Sequence, residues 1–340
     1  MNTHMEILTK GSAPDFPRKS SVSKFRAFIG VGQVQTFESC QTCKMEAIVS
    51  SFNREYNLTR SDVYDGDPRV DDWLLVNNLA GVLVLAGVYL LVVRYGPCIM
   101  EGRAALSMTS LLVVYNFALV ALSAYIFYEM VAVAYLQKFG LLCQAINYDD
   151  TEIGIREANA SWWYFFSKVI ELLDTVFFIL RKKNNQVTFL HVYHHSTMMV
   201  ICWYVAKYIP GGEKFFNGGF NSLVHVFMYS YYGLAAMGPN MQKYLWWKRY
   251  LTEFQLLQFV CVNTRAIGSF FTGPCEYPRW INVFALFYST SLLCLFLNFY
   301  LKSYKKKSST PLTNSSNVVL NGNSYVLNNN DPVNSIKKKN

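Results

Sequence analysis

Charge is the scarce ingredient of this chain. Asp, Glu, Lys and Arg make up only 16% of its 340 residues, against 52% hydrophobic and 16% aromatic. So apolar a composition does not make an ordinary soluble domain. The front lacks an apolar h-region: residues 1–45 are mixed polar, so no cleavable signal peptide is expected and the first apolar stretch has to target the chain. No aromatic-basic repeat accompanies the net charge of +9, which removes nucleic acid from the expected partners. Histidine is rarest, with five in all. Four of the five lie inside apolar stretches: His191-x-x-His194-His195, and His225 in the next one. An ionisable side chain at membrane depth is costly and lines a cavity, paired or working. That concentration points to an active site embedded in a membrane.

Seven stretches approach the roughly 20 residues that span a bilayer as a helix. They run about 74–93, 108–135, 162–180, 188–209, 218–237, 250–271 and 280–301. Lys and Arg follow every odd one: Arg94 and Arg103; Arg181, Lys182 and Lys183; Lys243, Lys248 and Arg249; Lys302 and Lys305 to Lys307. The loops between are acidic or mixed, with Asp149, Asp150, Glu152 and Glu157, then Glu213 and Lys214, then Glu276 and Arg279. Positive charge stays cytosolic, so the expected fold class is an all-α membrane protein of seven transmembrane helices, N-terminus lumenal and C-terminus cytosolic. Residues 1–64 are expected to be a disordered lumenal extension, 65–304 the helical domain and 305–340 an Asn/Ser/Lys-rich disordered cytosolic tail. Cys40-x-x-Cys43 stands alone in the extension, without further ligands.

Polar groups gather at similar depth on four stretches. At 1.5 Å per residue most fall in the cytosolic half, with Asn221 and His225 deepest. Helical spacing puts each set on one face: Lys168, Glu171 and Thr175; His191, His194 and His195; Asn221, His225, Met228 and Tyr232. Thr252, Gln255 and Gln258 serve equally well as polar glue between spans, and Lys168 with Glu171 or Asp174 as a structural ion pair. Packing alone is a poor account of three histidines in five residues.

In order, Lys168-Val-Ile-Glu171-Leu-Leu-Asp174-Thr175, His191-Val-Tyr-His194-His195, Asn221-Ser-Leu-Val-His225-Val-Phe-Met228-Tyr229-Ser-Tyr231-Tyr232 and Thr252-Glu-Phe-Gln255-Leu-Leu-Gln258 resemble the motifs of the very-long-chain fatty acid elongases. The resemblance runs over about 65–304, and the stretches around Gln186 to His191 and Gln242 to Lys248 look like the animal branch. The front extension and Arg265 depart from the pattern; the head of Arg265 is expected to reach water at the lumenal end. The resemblance implies a 3-oxoacyl-CoA synthase of the endoplasmic reticulum membrane, whose helices enclose an acyl-chain tunnel. It joins a long-chain acyl-CoA to malonyl-CoA, releasing CO2 and CoA, with no cofactor and no metal. Its implied partners are membrane lipid and the ketoacyl reductase, dehydratase and enoyl reductase of the cycle, and a homo-oligomer is compatible with it.

No cysteine belongs to a motif, so a cysteine nucleophile is not offered. Neutral imidazole accepts an acyl group from a thioester. His194 is the expected nucleophile, with His191 or His195 orienting it or moving protons. Asn221, His225 and Tyr231 are expected to hold the malonyl thioester and its enolate. Lys168, Glu171, Asp174, Tyr229, Tyr232, Gln255 and Gln258 complete the candidate substrate site, and Arg181, Lys182, Lys183, Lys248 and Arg249 as a group stand ready for CoA phosphates. Direct condensation, with histidine only as base, stays open at this point.

A di-iron desaturase or hydroxylase also carries His boxes but needs many more histidines, and a seven-helix receptor would not open its charged cluster to the cytosol. Cys143 and Cys275 fall in lumenal loops and are expected to pair in that oxidising compartment, while Cys98, Cys202, Cys261 and Cys294 stay reduced. Asn57 and Asn159 head lumenal glycosylation sequons; Asn314 has the spacing on the cytosolic side. Lys337 and Lys338, fourth and third from the end, look like a dilysine retrieval signal.

Overall fold

Helices account for nearly all of the structure, a computed structural model that describes residues 66–272, 277–305, 317–320, 323–326 and 337–338. Every expected apolar stretch is helical. The helices are α1 Leu79–Ile99, α2 Thr109–Leu136, α3 Glu152–Glu171, α4 Leu173–Leu180, α5 Phe189–Tyr208, α6 Lys214–Ala236, α7 Lys248–Ser269 and α8 Arg279–Tyr300. Three are long and apolar enough to cross a membrane: Leu79–Ile99, Thr109–Leu136 and Arg279–Tyr304. The others carry the motif residues, and those polar groups are what dilute their apolar character. Three short strands, Asn317–Leu320, Asn323–Val326 and Lys337–Lys338, pair antiparallel in chain order within the tail.

Two boundaries differ from expectation for identifiable reasons. The first helix starts at Leu79 instead of near 74, because Leu75 takes a left-handed φ of 64° and Asn78 caps the helix, its Oδ1 accepting from Ala80 N at 2.8 Å. The third stretch is not one rod. It begins early, at Thr151, whose hydroxyl caps α3 through Gly154 N, and it breaks at Leu172 with neither Pro nor Gly nearby. The Tyr115 hydroxyl on α2 stands at this interruption, 3.2 Å from the Ile170 carbonyl and 2.8 Å from Asp174 Oδ1, while Leu172 itself keeps right-handed dihedrals (φ −60°, ψ −25°).

The core lies between α1, α2, α3, α5 and α6, built from Val82, Tyr89, Ile126, Met130, Phe165, Met199, Trp203 and Phe215. α2 and α6 pack closely: a Cβ on Gly218 would stand 2.9 Å from Met130 Cε, and one on Gly233 3.1 Å from the Phe117 ring. Small residues at helix contacts permit such approach in lipid.

Arg265 corrects its expectation. Its side chain is only 6% exposed and pairs with Glu213 at 3.2 Å, while Asn282 donates to the same Glu213 oxygen at 2.8 Å. A counter-charge within the bundle, not water, holds the guanidinium. Burial raises the Glu213 carboxyl above its ordinary range, opposed by Arg265 and Asn282. Cys98, Cys202, Cys261 and Cys294 are free thiols, and Cys143 is disulfide-bonded. Cys275, Asn57, Asn314, Cys40, Cys43 and the extension 1–64 lie outside the described residues.

Candidate active site

A charged cluster forms where α3 meets α6. Lys168 and Glu171, one turn apart, face each other with Nζ 2.8 Å from Oε1, and their side chains are 3% and 1% exposed. Two charges so buried persist only with partners. Lys168 Nζ also donates to Asn221 Oδ1 at 3.0 Å, and the Tyr164 hydroxyl donates to the same oxygen at 3.0 Å. These two donors fix the orientation of the Asn221 amide. His225 Nδ1 lies 3.2 Å from Glu171 Oε1 and 3.5 Å from Lys168 Nζ. An ammonium has no lone pair to offer, so the sensible assignment is Nδ1–H donating to Glu171, which leaves Nε2 as the open face of His225. Glu171 Oε2 has no hydrogen-bond partner among the described residues.

Beyond the Leu172 break the second half of the motif faces other neighbours. Asp174 accepts from the Tyr115 hydroxyl at 2.8 Å and the Tyr229 hydroxyl at 2.9 Å. Thr175 Oγ1 lies 2.7 Å from His191 Nε2 and 3.1 Å from the Tyr89 hydroxyl on α1. The α5 histidines project from the first two turns of a helix capped by Thr188, with ring centroids 4.2 Å apart for His191 and His195 and 5.3 Å for His194 and His195. His191 is thus committed to Thr175 and His225 to Glu171. His194 and His195 make no side-chain hydrogen bond among the described residues and remain half-buried. Among those residues, no group of three or more His, Cys, Asp or Glu is placed to hold a metal ion.

The remaining candidates lie outside this cluster. Gln255 Nε2 contacts Met228 Sδ at 3.7 Å, and Gln258 is buried without joining the Lys168 network. Tyr231 packs edge-on to Trp247 at 5.2 Å, while Tyr232 is 42% exposed. Arg181, Lys182 and Lys183 follow α4; Lys182 has a left-handed φ of 56° and donates to the Glu101 carbonyl at 3.0 Å. Lys248 opens α7 exposed, and Arg249 pairs with Glu253 at 2.9 Å and the Tyr300 hydroxyl at 3.2 Å. Asn159 is half-buried inside α3.

Three site tyrosines escaped the sequence reading. Tyr164 extends the Lys168 stripe at helical spacing, one turn earlier, and was legible in principle. Tyr89 and Tyr115 stand in otherwise apolar stretches, and only the fold shows what they touch.

Residues 74–311 match the family model described as ELO: GNS1/SUR4 family. The chain is 45% identical over 258 residues to "Very long chain fatty acid elongase 4" of Macaca mulatta, covering 75% of this chain and 82% of that protein. The mouse protein of that name (Mus musculus) is 42% identical over 280 residues, 82% of this chain and 89% of its own length. "Very long chain fatty acid elongase 5" of Tachysurus fulvidraco is 42% identical over 263 residues, covering 77% and 87%.

Proposed function

The chain belongs to the GNS1/SUR4 family of membrane proteins, and on that premise we propose that it is the condensing enzyme of very-long-chain fatty acid elongation. It joins a long-chain acyl-CoA to malonyl-CoA and yields a 3-oxoacyl-CoA two carbons longer, CO2 and CoA. All seven apolar stretches cross the endoplasmic reticulum membrane, the N-terminus lumenal, and the acyl chain runs in a tunnel between them. Lys337 and Lys338 return the protein to that membrane, Asn57 heads its lumenal glycosylation sequon, Asn159 is withheld from that role inside α3 with Ser161 buried, and Cys143 pairs with Cys275. The ketoacyl reductase, dehydratase and enoyl reductase of the cycle consume its product.

The observation that carries the mechanism is the division among the histidines. Two imidazoles are held by neighbours, and two beside them are free for substrate. His194 attacks the acyl thioester carbonyl; the C–S bond breaks and CoA leaves as the thiol once it is protonated, leaving an acyl-imidazole. Malonyl-CoA then loses CO2, and the enolate attacks the acyl-imidazole carbonyl, forming the new C–C bond, breaking the C–N bond and releasing His194, which takes up one proton from the medium to return to neutral imidazole. The Lys168 ammonium and the amide of Asn221 stand close enough to His225 to bear on enolate charge, all three side chains being buried. Arg181, Lys182, Lys183, Lys248 and Arg249 meet CoA phosphates, and no cofactor is required.

Purified protein incubated with acyl-CoA alone tests this. It is expected to release CoA stoichiometrically and to carry acyl mass on a peptide spanning His191 to His195, with both lost in His194→Ala. CoA release only after malonyl-CoA is added, with no trapped adduct, would overturn the covalent scheme.

A further inference from the structure

The polarity of the Tyr89–Thr175–His191 chain follows from where each hydrogen can find an acceptor. Three groups meet at two contacts, 3.1 Å and 2.7 Å. If His191 Nε2–H donated to Thr175 and Thr175 to Tyr89, the phenol hydrogen would have no acceptor among the described residues, in a side chain 3% exposed. If Tyr89 and His191 both donated to Thr175, the threonine hydrogen would be stranded. The usual outlet for a helical threonine, the carbonyl four residues back, is not used: Thr175 makes no bond to Glu171, and the helix is broken at Leu172 between them. Only one arrangement strands neither hydroxyl hydrogen, with Tyr89 O–H donating to Thr175 and Thr175 O–H donating to His191 Nε2, and it leaves the ring hydrogen on Nδ1 of the half-buried His191.

We propose that Tyr89 and Thr175 are positioning residues that lock His191 in the tautomer carrying its hydrogen on Nδ1. His191 Nε2 is then occupied as an acceptor, so this ring is neither nucleophile nor base but a fixed Nδ1–H donor beside His195. The tautomer choice is the way such second partners act on an imidazole. The relay spans three helices, α1, α4 and α5, so docking of α1 sets the hydrogen-bonding character of a ring on α5. The proposal rests on the reading of the α5 histidines as catalytic.

Histidine-selective 15N labelling of the full-length protein in lipid nanodiscs reads the tautomer directly, with His191→Gln identifying its resonances. The wild type is expected to show a protonated Nδ1 and a bare Nε2 at His191. Thr175→Ser should keep that signature and acyl-CoA-dependent CoA release within about threefold, whereas Thr175→Val should lose the signature and at least about tenfold in release, a transition-state loss of the kind single contacts produce. Tyr89→Phe should give a mixture of tautomers, because Thr175 is then free to turn, and it serves as second test if Thr175→Val does not fold. A wild-type Nε2–H signal, or an unchanged signature in both Thr175→Val and Tyr89→Phe, overturns the relay. Failure of every protein, wild type included, to release CoA would instead sink the covalent mechanism and leave the tautomer result standing.

Discussion

Removing one charge from the Lys168–Glu171 pair should cost more than removing both. At 2.8 Å and an effective dielectric near 20, the Coulomb attraction is about 6 kcal/mol before desolvation is subtracted. Desolvation of two groups this buried consumes most of that, so the pair as a whole adds little stability over apolar residues of similar volume. Deleting one partner is different. Glu171→Gln strands an ammonium whose other close contacts are Asn221 Oδ1 and the imidazole, and breaking such a pair costs about 3–5 kcal/mol. For a domain of this size each kcal/mol moves a melting midpoint by roughly 2–4 °C, so Glu171→Gln and Lys168→Met are each expected to lower it by roughly 10 °C. The double replacement Lys168→Met with Glu171→Gln should recover most of that loss while remaining inactive. Thermal unfolding of the four proteins in one detergent, read by intrinsic fluorescence, gives the cycle. A double variant as unstable as the sum of the singles would refute the argument, because then the two charges contribute independently.

Three further outcomes follow from other contacts. Arg265→Leu removes the guanidinium 3.2 Å from the buried Glu213 and should cost about 3–5 kcal/mol near neutral pH. A carboxyl whose folded value is raised stabilises the fold most when protonated, so the deficit relative to wild type should shrink as pH falls from 8 to 5; a pH-independent deficit in thermal melts would contradict this. Tyr115→Phe removes the donor shared by Ile170 O and Asp174 and should cost about 1.5–3 kcal/mol, measurable as a lowered midpoint that Tyr229→Phe deepens. Gly211→Ala would drive a Cβ into Glu157 Oε1, where the carboxylate accepts from Gly212 N at 2.9 Å, and should cost about 1–3 kcal/mol in the same assay.

Helical periodicity made much of this site legible. The stripe Lys168, Glu171, Thr175 has the spacing of one face, but its two ends serve different partners, with a tyrosine from α2 seated on the carbonyl of Ile170 where the helical ladder is interrupted at Leu172. Nothing near Leu172 announces that interruption, and the tyrosine seated there, Tyr115, lies 57 positions earlier in the chain. His191, His194 and His195 looked interchangeable from spacing; hydroxyl groups on other helices distinguish them. Gln255 and Gln258 had the spacing of a site face and turn out to lie apart from the Lys168 network, so a periodic polar stripe alone does not identify membership. Arg265 was misjudged because its partner, Glu213, sits in a different loop and the two meet only in three dimensions.

The close packing of α2 on α6 also constrains how the protein is made. α2 is complete at Leu136 and its partner begins only at Lys214, 78 residues later. At about 5–20 residues per second, α2 waits roughly 4–16 s for the surface that covers it. During that interval Asn116 is provided for within its own helix, its Nδ2 donating to the Leu112 carbonyl at 2.6 Å, while Glu129 finds Arg156 as soon as α3 emerges. The groove around Met130 and Phe117 that receives Gly218 and Gly233 has no such early partner. Until α6 arrives that groove lacks the glycine face that covers it in the fold, and only α7 and α8 are made afterwards.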